Sequence, residues 1–132
     1  MHGCRYPDFV EGFWIARYTS LTYIDESAFS FIESPLFTRL VAAYLTEAEY
    51  VALQQTLQAN PEAGKVVVGS GGVRKLRWAA PGRGKSGGYR VIYFVKRAPR
   101  LILMLTMYAK NAKDNIPGTL LAQIRKEADD GE

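Results

Sequence analysis

The apolar positions in the first half of the chain predict two consecutive helices. Ser34 is suited to cap the first helix and Pro35 to occupy its first turn, where a missing N–H costs nothing. The second helix begins at Thr46, with Glu49 in capping-box register, and ends at Asn60. Apolar side chains recur at helical spacing through the first of these segments, at Leu36, Phe37, Leu40, Val41, Tyr44 and Leu45. We therefore predict a helical hairpin.

Beyond the glycines at 69–72, the pattern changes to alternation with a period of two. Two strands are predicted over residues 73–79 and 89–96, each with one face more polar than the other. Residues 100–108 are nearly all apolar, which is typical of a strand buried on both faces. The connection at 98–100 is short, so the last two strands are expected to pair antiparallel.

Two shorter elements complete the predicted fold, a strand at 29–32 and a helix in the stretch 118–128. The order is strand, two helices, three strands and a helix. This order predicts an α+β fold in which a small antiparallel β-sheet packs against an N-terminal helical hairpin. A short C-terminal helix completes the fold, and all helices are expected on one face of the sheet. Residues 1–28 have no clear period and are left as an unassigned N-terminal extension before a domain spanning 29–132.

Composition indicates a single globular domain, since 48% of the 132 residues are hydrophobic and 23% are charged. No apolar run approaches the roughly 18 residues of a membrane span, and Asp8 and Glu11 interrupt the N-terminal stretch where a signal peptide would lie. Cys4 is the only cysteine, which excludes an internal disulfide and a cysteine-built metal site. We expect a cytoplasmic protein.

Charge is distributed unevenly along the chain. Residues 63–113 contain 12 of the 17 Lys and Arg residues and none of the 13 Asp and Glu residues. An acid-free stretch of this length produces a strong positive field, which is typical of a protein with a polyanionic partner. The alternative is a basic surface that serves only solubility, although mixed charges would serve that purpose better.

A glycine-rich stretch inside this block imitates a phosphate-binding loop. With Ala79 in the first glycine position, Gly84, Lys85 and Ser86 complete the relaxed pattern. A working loop of this kind leads into a helix, whereas strand-like sequence follows here. We therefore interpret the stretch as a hairpin connection, either a flexible turn with incidental charge or a mobile basic loop that follows a phosphate backbone.

The available side chains limit the chemistry. His2 is the only histidine, which argues against imidazole catalysis, a histidine-built metal site and a serine-type triad. Cleavage of RNA needs neither metal nor cofactor, because the 2′-OH of the RNA is itself the nucleophile. Cationic residues can orient the strand and offset the negative charge on the phosphorane.

The strand pattern selects candidate residues for this chemistry. Lys75 and Arg77 are two apart on one strand and project together, and Arg90 is expected to face them from the next strand. Tyr108 follows at the end of the last strand. We predict these four as catalytic residues, although Arg90 could be a surface charge and Tyr108 a core aromatic. Leu76 and Trp78 are interpreted as core. Backbone contacts to RNA are predicted for Arg74, Arg83, Lys85, Lys110 and Lys113.

Three motifs occur in order, "GGVRKLR" at 71–77, "GKSGGYRVIY" at 84–93 and "YAKN" at 108–111. With the preceding helical hairpin, they resemble the HigB-like branch of the RelE/HigB family of bacterial toxins over residues 29–127. The resemblance implies a small β-sheet with a helical hairpin, cleavage of mRNA in the ribosomal A site, and silencing by an antitoxin that is often a helix-turn-helix DNA-binding protein.

By the same resemblance, Lys75, Arg77 and Arg90 fall on family positions linked to phosphate binding and proton transfer. The chain departs from the pattern after the last strand, where Asn111 replaces an arginine and Pro117 lies near the position of a late tyrosine. The general base and acid are therefore not assigned. An acidic segment of the antitoxin is expected to complement the basic groove.

Two other functions stay open at this point. A related group of toxins, the ParE-like proteins, inhibits a protein target such as DNA gyrase and usually lacks the basic catalytic set. A plain RNA-binding module would bind in a strongly salt-dependent manner and release no product.

Overall fold

The computed structural model describes residues 28–79, 88–110 and 117–127, together with the backbone of 15–17 and 128–130. The elements are six strands and three helices in this order: β1 (Ile15–Arg17), β2 (Ser30–Glu33), α1 (Pro35–Tyr44), α2 (Glu47–Ala59), β3 (Lys65–Val66), β4 (Arg74–Trp78), β5 (Tyr89–Arg97), β6 (Arg100–Ala109) and α3 (Gly118–Asp130). The predicted α+β class and the predicted helices and strands are confirmed. The strand β1 lies within the stretch that the sequence left unassigned, and β3 was not predicted.

The six strands form one sheet in the order β1-β2-β6-β5-β4-β3. Neighbouring strands pair antiparallel, as predicted for β5 and β6, with one exception. The strand β2 runs parallel to β6, so the sheet is mixed and not antiparallel throughout. The chain crosses from β2 to the rest of the sheet through α1 and α2, and a crossover of this kind is what parallel neighbours require.

The helical hairpin is stabilised at its N-termini as predicted. The Ser34 hydroxyl accepts a hydrogen bond from the Phe37 N–H and caps α1, and Thr46 and Glu49 form a reciprocal capping box at α2. Apolar side chains from α1 and α2 pack on one face of the sheet, among them Phe37 and Leu53, which are fully buried. This face carries the larger of the two cores.

The C-terminal helix α3 lies on the other face of the sheet. Its Leu121 packs with Val73, Ile92, Leu103 and Leu105 in a second core, whose strand residues alternate with those of the first. The prediction that all helices cover one face was therefore wrong. Because both faces are covered, the central strand β6 is buried on both sides, which explains its nearly unbroken apolar sequence. No helix in the described part of the chain is long and apolar enough to cross a bilayer.

A one-residue shift in register changes which side chains of β6 share a face. Ile92 pairs with Thr106, whereas Tyr93 pairs with Met104, so Leu105 has no opposite residue on β5. Such a bulge places two successive residues on the same side of the sheet and reverses the alternation beyond it. As a result Tyr108 lies on the face that α3 covers. Without the bulge, strict alternation from Met104 would have placed Tyr108 on the other face, under α1 and α2.

Candidate nucleic-acid interface

Three of the predicted residues form a row across β4, β5 and β6, near one end of these strands. Arg77 on β4 lies opposite Arg90 on β5, and Arg90 lies opposite Tyr108 on β6. Directly opposite residues project from the same face of a sheet with neighbouring Cβ atoms, so the three side chains share the face that carries α3. The predicted pairing of Arg90 with the β4 residues is therefore confirmed.

Lys75 extends this row into a cleft. It is two residues before Arg77 on β4, and the two side chains project together as predicted. An open cleft of about 710 Å³ is lined by both residues, by Arg90 and by residues at the sheet edge. Arg77 is exposed, whereas Lys75 and Arg90 are half-buried. The cleft therefore presents three cationic side chains to solvent from a rigid sheet.

A smaller recess of about 200 Å³ continues the cleft in the direction of Lys110. Arg77 and Arg90 line both cavities, and Lys110 joins them in the recess. The Lys110 N–H donates to the Gly88 carbonyl at 3.0 Å, which fixes the end of β6 against the start of β5. The two cavities together form a groove, called the basic groove below, with Lys75, Arg77, Arg90 and Lys110 along it.

The tight connection between β3 and β4 depends on three glycines, one just before the first motif and two within it. Gly69, Gly71 and Gly72 have φ angles of 80°, 76° and 106°, a region that side chains disfavour. Within the same turn, the buried Ser70 hydroxyl accepts from the Val73 N–H at 3.0 Å and donates to the Val67 carbonyl at 2.6 Å. This turn returns the chain so that β3 pairs with the lysine-bearing end of β4.

The segment that leads into β3 is held by a buried tyrosine. The Tyr93 hydroxyl accepts from the Gly64 N–H and donates to the Pro61 carbonyl, both at 2.8 Å. Burial raises the pKa of Tyr93 above its ordinary value, because the phenolate would lose hydration; the hydrogen bond from Gly64 and the positive charge of Arg74 act in the opposite direction.

Side chains on the opposite face of β4 pack into the larger core and fix the strands that form the groove. Trp78 is buried in the larger core and Leu76 packs against it, so both are core residues as predicted. Tyr89 stacks on Tyr44 of α1 with ring centroids 5.0 Å apart, which anchors the beginning of β5 to the helical layer. Packing on this side therefore fixes the strands that carry Arg77 and Arg90.

The remaining predicted residues do not all join the basic groove. Arg74 lies on the opposite face of β4, where its guanidinium donates to the Gly64 carbonyl at 2.7 Å and stabilises the segment before β3. It is not brought to the groove. Arg83, Lys85 and Lys113, with the loop that imitates a phosphate-binding motif, lie outside the described residues.

The sequence pattern missed one cation of the cleft. Lys65 on β3 lines the cleft and lies directly opposite Lys75. The strand β3 has only two residues, which is too short for an alternating pattern to reveal it. The acid-free composition of residues 63–113 was the only signal, and it does not distinguish Lys65 from the other lysines.

The electrostatics of the groove favour an anion. Of the described residues that line the cleft and the recess, none is acidic. Among the described residues, no group of three or more His, Cys, Asp or Glu side chains could hold a metal ion. Guanidinium and ammonium groups bind phosphate oxygens directly, and arginine does so with two parallel hydrogen bonds. The arrangement is therefore suited to bind a phosphodiester and to stabilise additional negative charge on it.

The chain matches the model of a known protein family. The model described as the RelE toxin of the RelE/RelB toxin–antitoxin system matches residues 40–131, which is more than half of the chain. The matched range includes most of the helical hairpin, β3 to β6 and α3, and it contains every residue of the basic groove.

Proposed function

The chain belongs to the RelE toxin family of toxin–antitoxin systems, and from this premise we propose that it is a ribosome-dependent endoribonuclease that cleaves mRNA without a metal ion. The observation that carries the proposal is the row of Arg77, Arg90 and Tyr108 on one face of the sheet, together with a cleft lined by Lys75, Arg77 and Arg90 to which the described residues contribute no carboxylate. Several cations in one cleft support the proposal, because cationic groups stabilise the negative charge that develops on a phosphate during attack by the RNA's own 2′-OH.

In the proposed reaction, the 2′-oxygen attacks the adjacent phosphorus and the bond from phosphorus to the 5′-oxygen breaks. A proton leaves the 2′-OH and another reaches the departing 5′-oxygen, which gives a 2′,3′-cyclic phosphate and a 5′-OH. Arg77 and Arg90 bind the non-bridging oxygens and stabilise the charge that develops on them. Lys75 and Tyr108, at the two sides of this pair, are the candidates for proton transfer.

The same proposal assigns partners. Family membership implies a cognate antitoxin, and the basic groove favours an acidic segment of it, because opposite potentials attract. We propose a helix-turn-helix DNA-binding antitoxin. Lys110, together with Arg83, Lys85 and Lys113 outside the described residues, is proposed to contact the RNA backbone. Activity on translating ribosomes would place the protein in the cytoplasm.

The decisive experiment gives purified protein an mRNA with and without ribosomes and maps the ends of the products. We expect cleavage only with ribosomes, and a 5′-OH on the downstream fragment. Intact mRNA on translating ribosomes, with protein that is folded by circular dichroism, would refute the proposal. Binding without product would instead favour an RNA-binding module.

Two substitutions test the proposed catalytic residues. Lys75→Ala and Arg90→Ala are each expected to lower the single-turnover cleavage rate by roughly 10²- to 10³-fold, the usual loss for one preorganised charge-stabilising group. Arg39→Gln removes a positive charge from an exposed position on α1, across the sheet, and should leave the rate unchanged. Growth inhibition that survives both alanine substitutions would point to a protein target such as DNA gyrase.

A further inference from the structure

The outer wall of the cleft is formed by the short segment around β3. Four residues of this segment line the cleft, namely Ala63, Lys65, Val66 and Val67. Lys65 is exposed, and β3 is the edge strand at one side of the sheet that the described residues form. An edge strand of two residues makes few hydrogen bonds in the ladder, so its pairing with β4 alone does little to fix the wall.

The wall is held at Gly64, from the opposite face of the sheet. Arg74 and Tyr93 are directly opposite each other on β4 and β5, on the face of the larger core. The Tyr93 hydroxyl accepts from the Gly64 N–H at 2.8 Å, and the Arg74 guanidinium donates to the Gly64 carbonyl at 2.7 Å. Side chains therefore bind both backbone polar groups of the residue that directly precedes Lys65.

Close packing fixes Gly64 in a second way. A Cβ added to this glycine would lie 3.0 Å from the Lys75 carbonyl group and 3.0 Å from the Tyr93 ring, which is shorter than ordinary van der Waals contact. A side chain at this position would have to push the segment away from β4. Because Lys65 follows directly and is opposite Lys75, the distance between the wall and the other cations of the cleft is set at Gly64.

We propose that Arg74 and Tyr93 are positioning residues for the RNA substrate. Through Gly64 they place Lys65 against the RNA backbone. The inference rests on the proposed function, since it takes the cleft as the place where the RNA strand binds. A segment that is already ordered in its binding conformation loses less conformational freedom when the ligand arrives. Arg74 thus increases the affinity for RNA without touching it, in contrast to the direct backbone contact that the sequence predicted.

Substitutions at Arg74 and Gly64 test the positioning role. Arg74→Gln removes the hydrogen bond to Gly64 and should raise KM for programmed ribosomes by roughly three- to tenfold, the usual cost of ordering a side chain on binding. The single-turnover rate at saturation should stay within about twofold of wild type, because the lost interaction is uniform binding. Gly64→Ala keeps every charge but displaces the wall, and it should have the same effect.

Arg97→Gln is the matched control. It removes another arginine that binds the same segment, through an exposed ion pair with the Glu62 carboxylate at 2.6 Å. Exposed ion pairs contribute little, so KM should be unchanged. A rise in KM as large as that of Arg74→Gln would show that the loss of positive charge, and not the bond to Gly64, is responsible, and would overturn the proposal.

Combination with Lys65→Gln separates positioning from direct contact. Lys65→Gln alone should weaken RNA binding by roughly tenfold, since it removes a charged contact. Because Arg74 acts through Lys65, Arg74→Gln should cause no further loss in the Lys65→Gln background. A direct contact between Arg74 and RNA, or a general loss of folding, predicts instead that the two losses multiply. Multiplied losses, or no loss in either single variant, would refute the positioning role.

A binding measurement separates this inference from the proposed function. The fluorescence anisotropy of a labelled, fully 2′-O-methylated single-stranded RNA reports binding without chemistry, and the same pairs of variants give its Kd. If wild type cleaves nothing and the losses in Kd still do not multiply, the proposed function fails and the positioning role stands. If wild type cleaves and the losses multiply, the reverse holds. Circular dichroism checks the folding of each variant, and Gly64→Ala replaces Arg74→Gln in the cycle if the latter does not fold.

Discussion

Buried polar side chains hold several connections of this fold together. Glu33 at the end of β2 is fully buried, and its carboxylate accepts hydrogen bonds from the Thr38 hydroxyl at 2.7 Å and the Tyr50 hydroxyl at 2.5 Å. It thereby joins β2 to both helices of the hairpin. Tyr93 does the same for the segment before β3, through its hydrogen bonds with Gly64 and Pro61. Leaving the partners of such a group unsatisfied costs more than the hydrogen bond itself stabilises.

Tyr93 makes the stability of the protein sensitive to alkaline pH. Its pKa in the folded state is raised above 10.0, so the unfolded chain loses this proton first as the pH rises. The stabilisation by the neutral phenol is therefore complete below about pH 10 and is lost as the pH rises through the folded-state pKa. Tyr93→Phe should lower the free energy of unfolding at neutral pH by about 1–3 kcal/mol and remove part of the alkaline decrease.

Urea denaturation near pH 8 and near pH 11 checks this prediction. Tyr44→Phe, which alters the ring that stacks on Tyr89, is the control and should keep the alkaline decrease of wild type. An alkaline decrease in Tyr93→Phe as steep as that of wild type would show that other groups cause it.

At the scale of elements, α3 and the bulge in β6 determine the face on which the basic groove lies. The bulge at Leu105 turns Tyr108 to the side of Arg90, and α3 covers the second core next to it. The helix approaches the turn before β4 very closely, since a Cβ added to Gly118 would lie 2.1 Å from the Val68 carbonyl oxygen. Any larger residue at this position has to move the start of α3.

Gly118→Ala should therefore destabilise the protein by about 1–3 kcal/mol, the usual cost of overpacking. Helix propensity alone predicts the opposite sign, because alanine favours a helix over glycine by up to about 1 kcal/mol. Urea denaturation decides between the two. Thr119→Ala, at an exposed position in the same turn, is the control and should have little effect. A stabilised Gly118→Ala variant would show that α3 tolerates the displacement.

At the scale of the whole molecule, charge and fold act together. The acid-free stretch at 63–113 contributes β3 to β6. Because these strands are neighbours in the sheet, five of the 12 cations of this stretch line one groove. The acidic Glu33 lies outside this stretch, on β2, and its hydrogen bonds connect that strand to the helical hairpin. A single-stranded RNA that follows the groove would meet five cationic side chains: Lys65, Lys75, Arg77, Arg90 and Lys110.

The affinity for single-stranded RNA should therefore depend strongly on salt. If five phosphates are neutralised, the slope of log K against log salt is expected to be about −3.5, from roughly −0.7 per phosphate. Anisotropy titrations with a non-cleavable RNA over a range of salt concentrations measure it. Arg39→Gln should keep the slope, and Arg77→Ala should reduce its magnitude by about 0.7. A wild-type slope near zero would contradict binding along the groove.

Much of this architecture was predictable because it depends on local chemistry. The caps at Ser34 and Thr46, the alternation in β4 and β5 and the apolar run of β6 each follow from neighbouring residues alone. The same alternation placed Lys75, Arg77 and Arg90 on one face. The two-residue strand β3, and with it Lys65, is too short to carry a pattern.

The sequence by itself determined the α+β class, the helical hairpin, the basic character of the second half and the pairing of the main cations. Only the tertiary structure decided that β2 runs parallel to β6, that α3 covers the second face, that Arg74 points away from the groove and that Lys65 points into it. The physical reason is that these features depend on register and packing between segments distant in the chain. A single unpaired residue, Leu105, is enough to turn Tyr108 from one face of the sheet to the other.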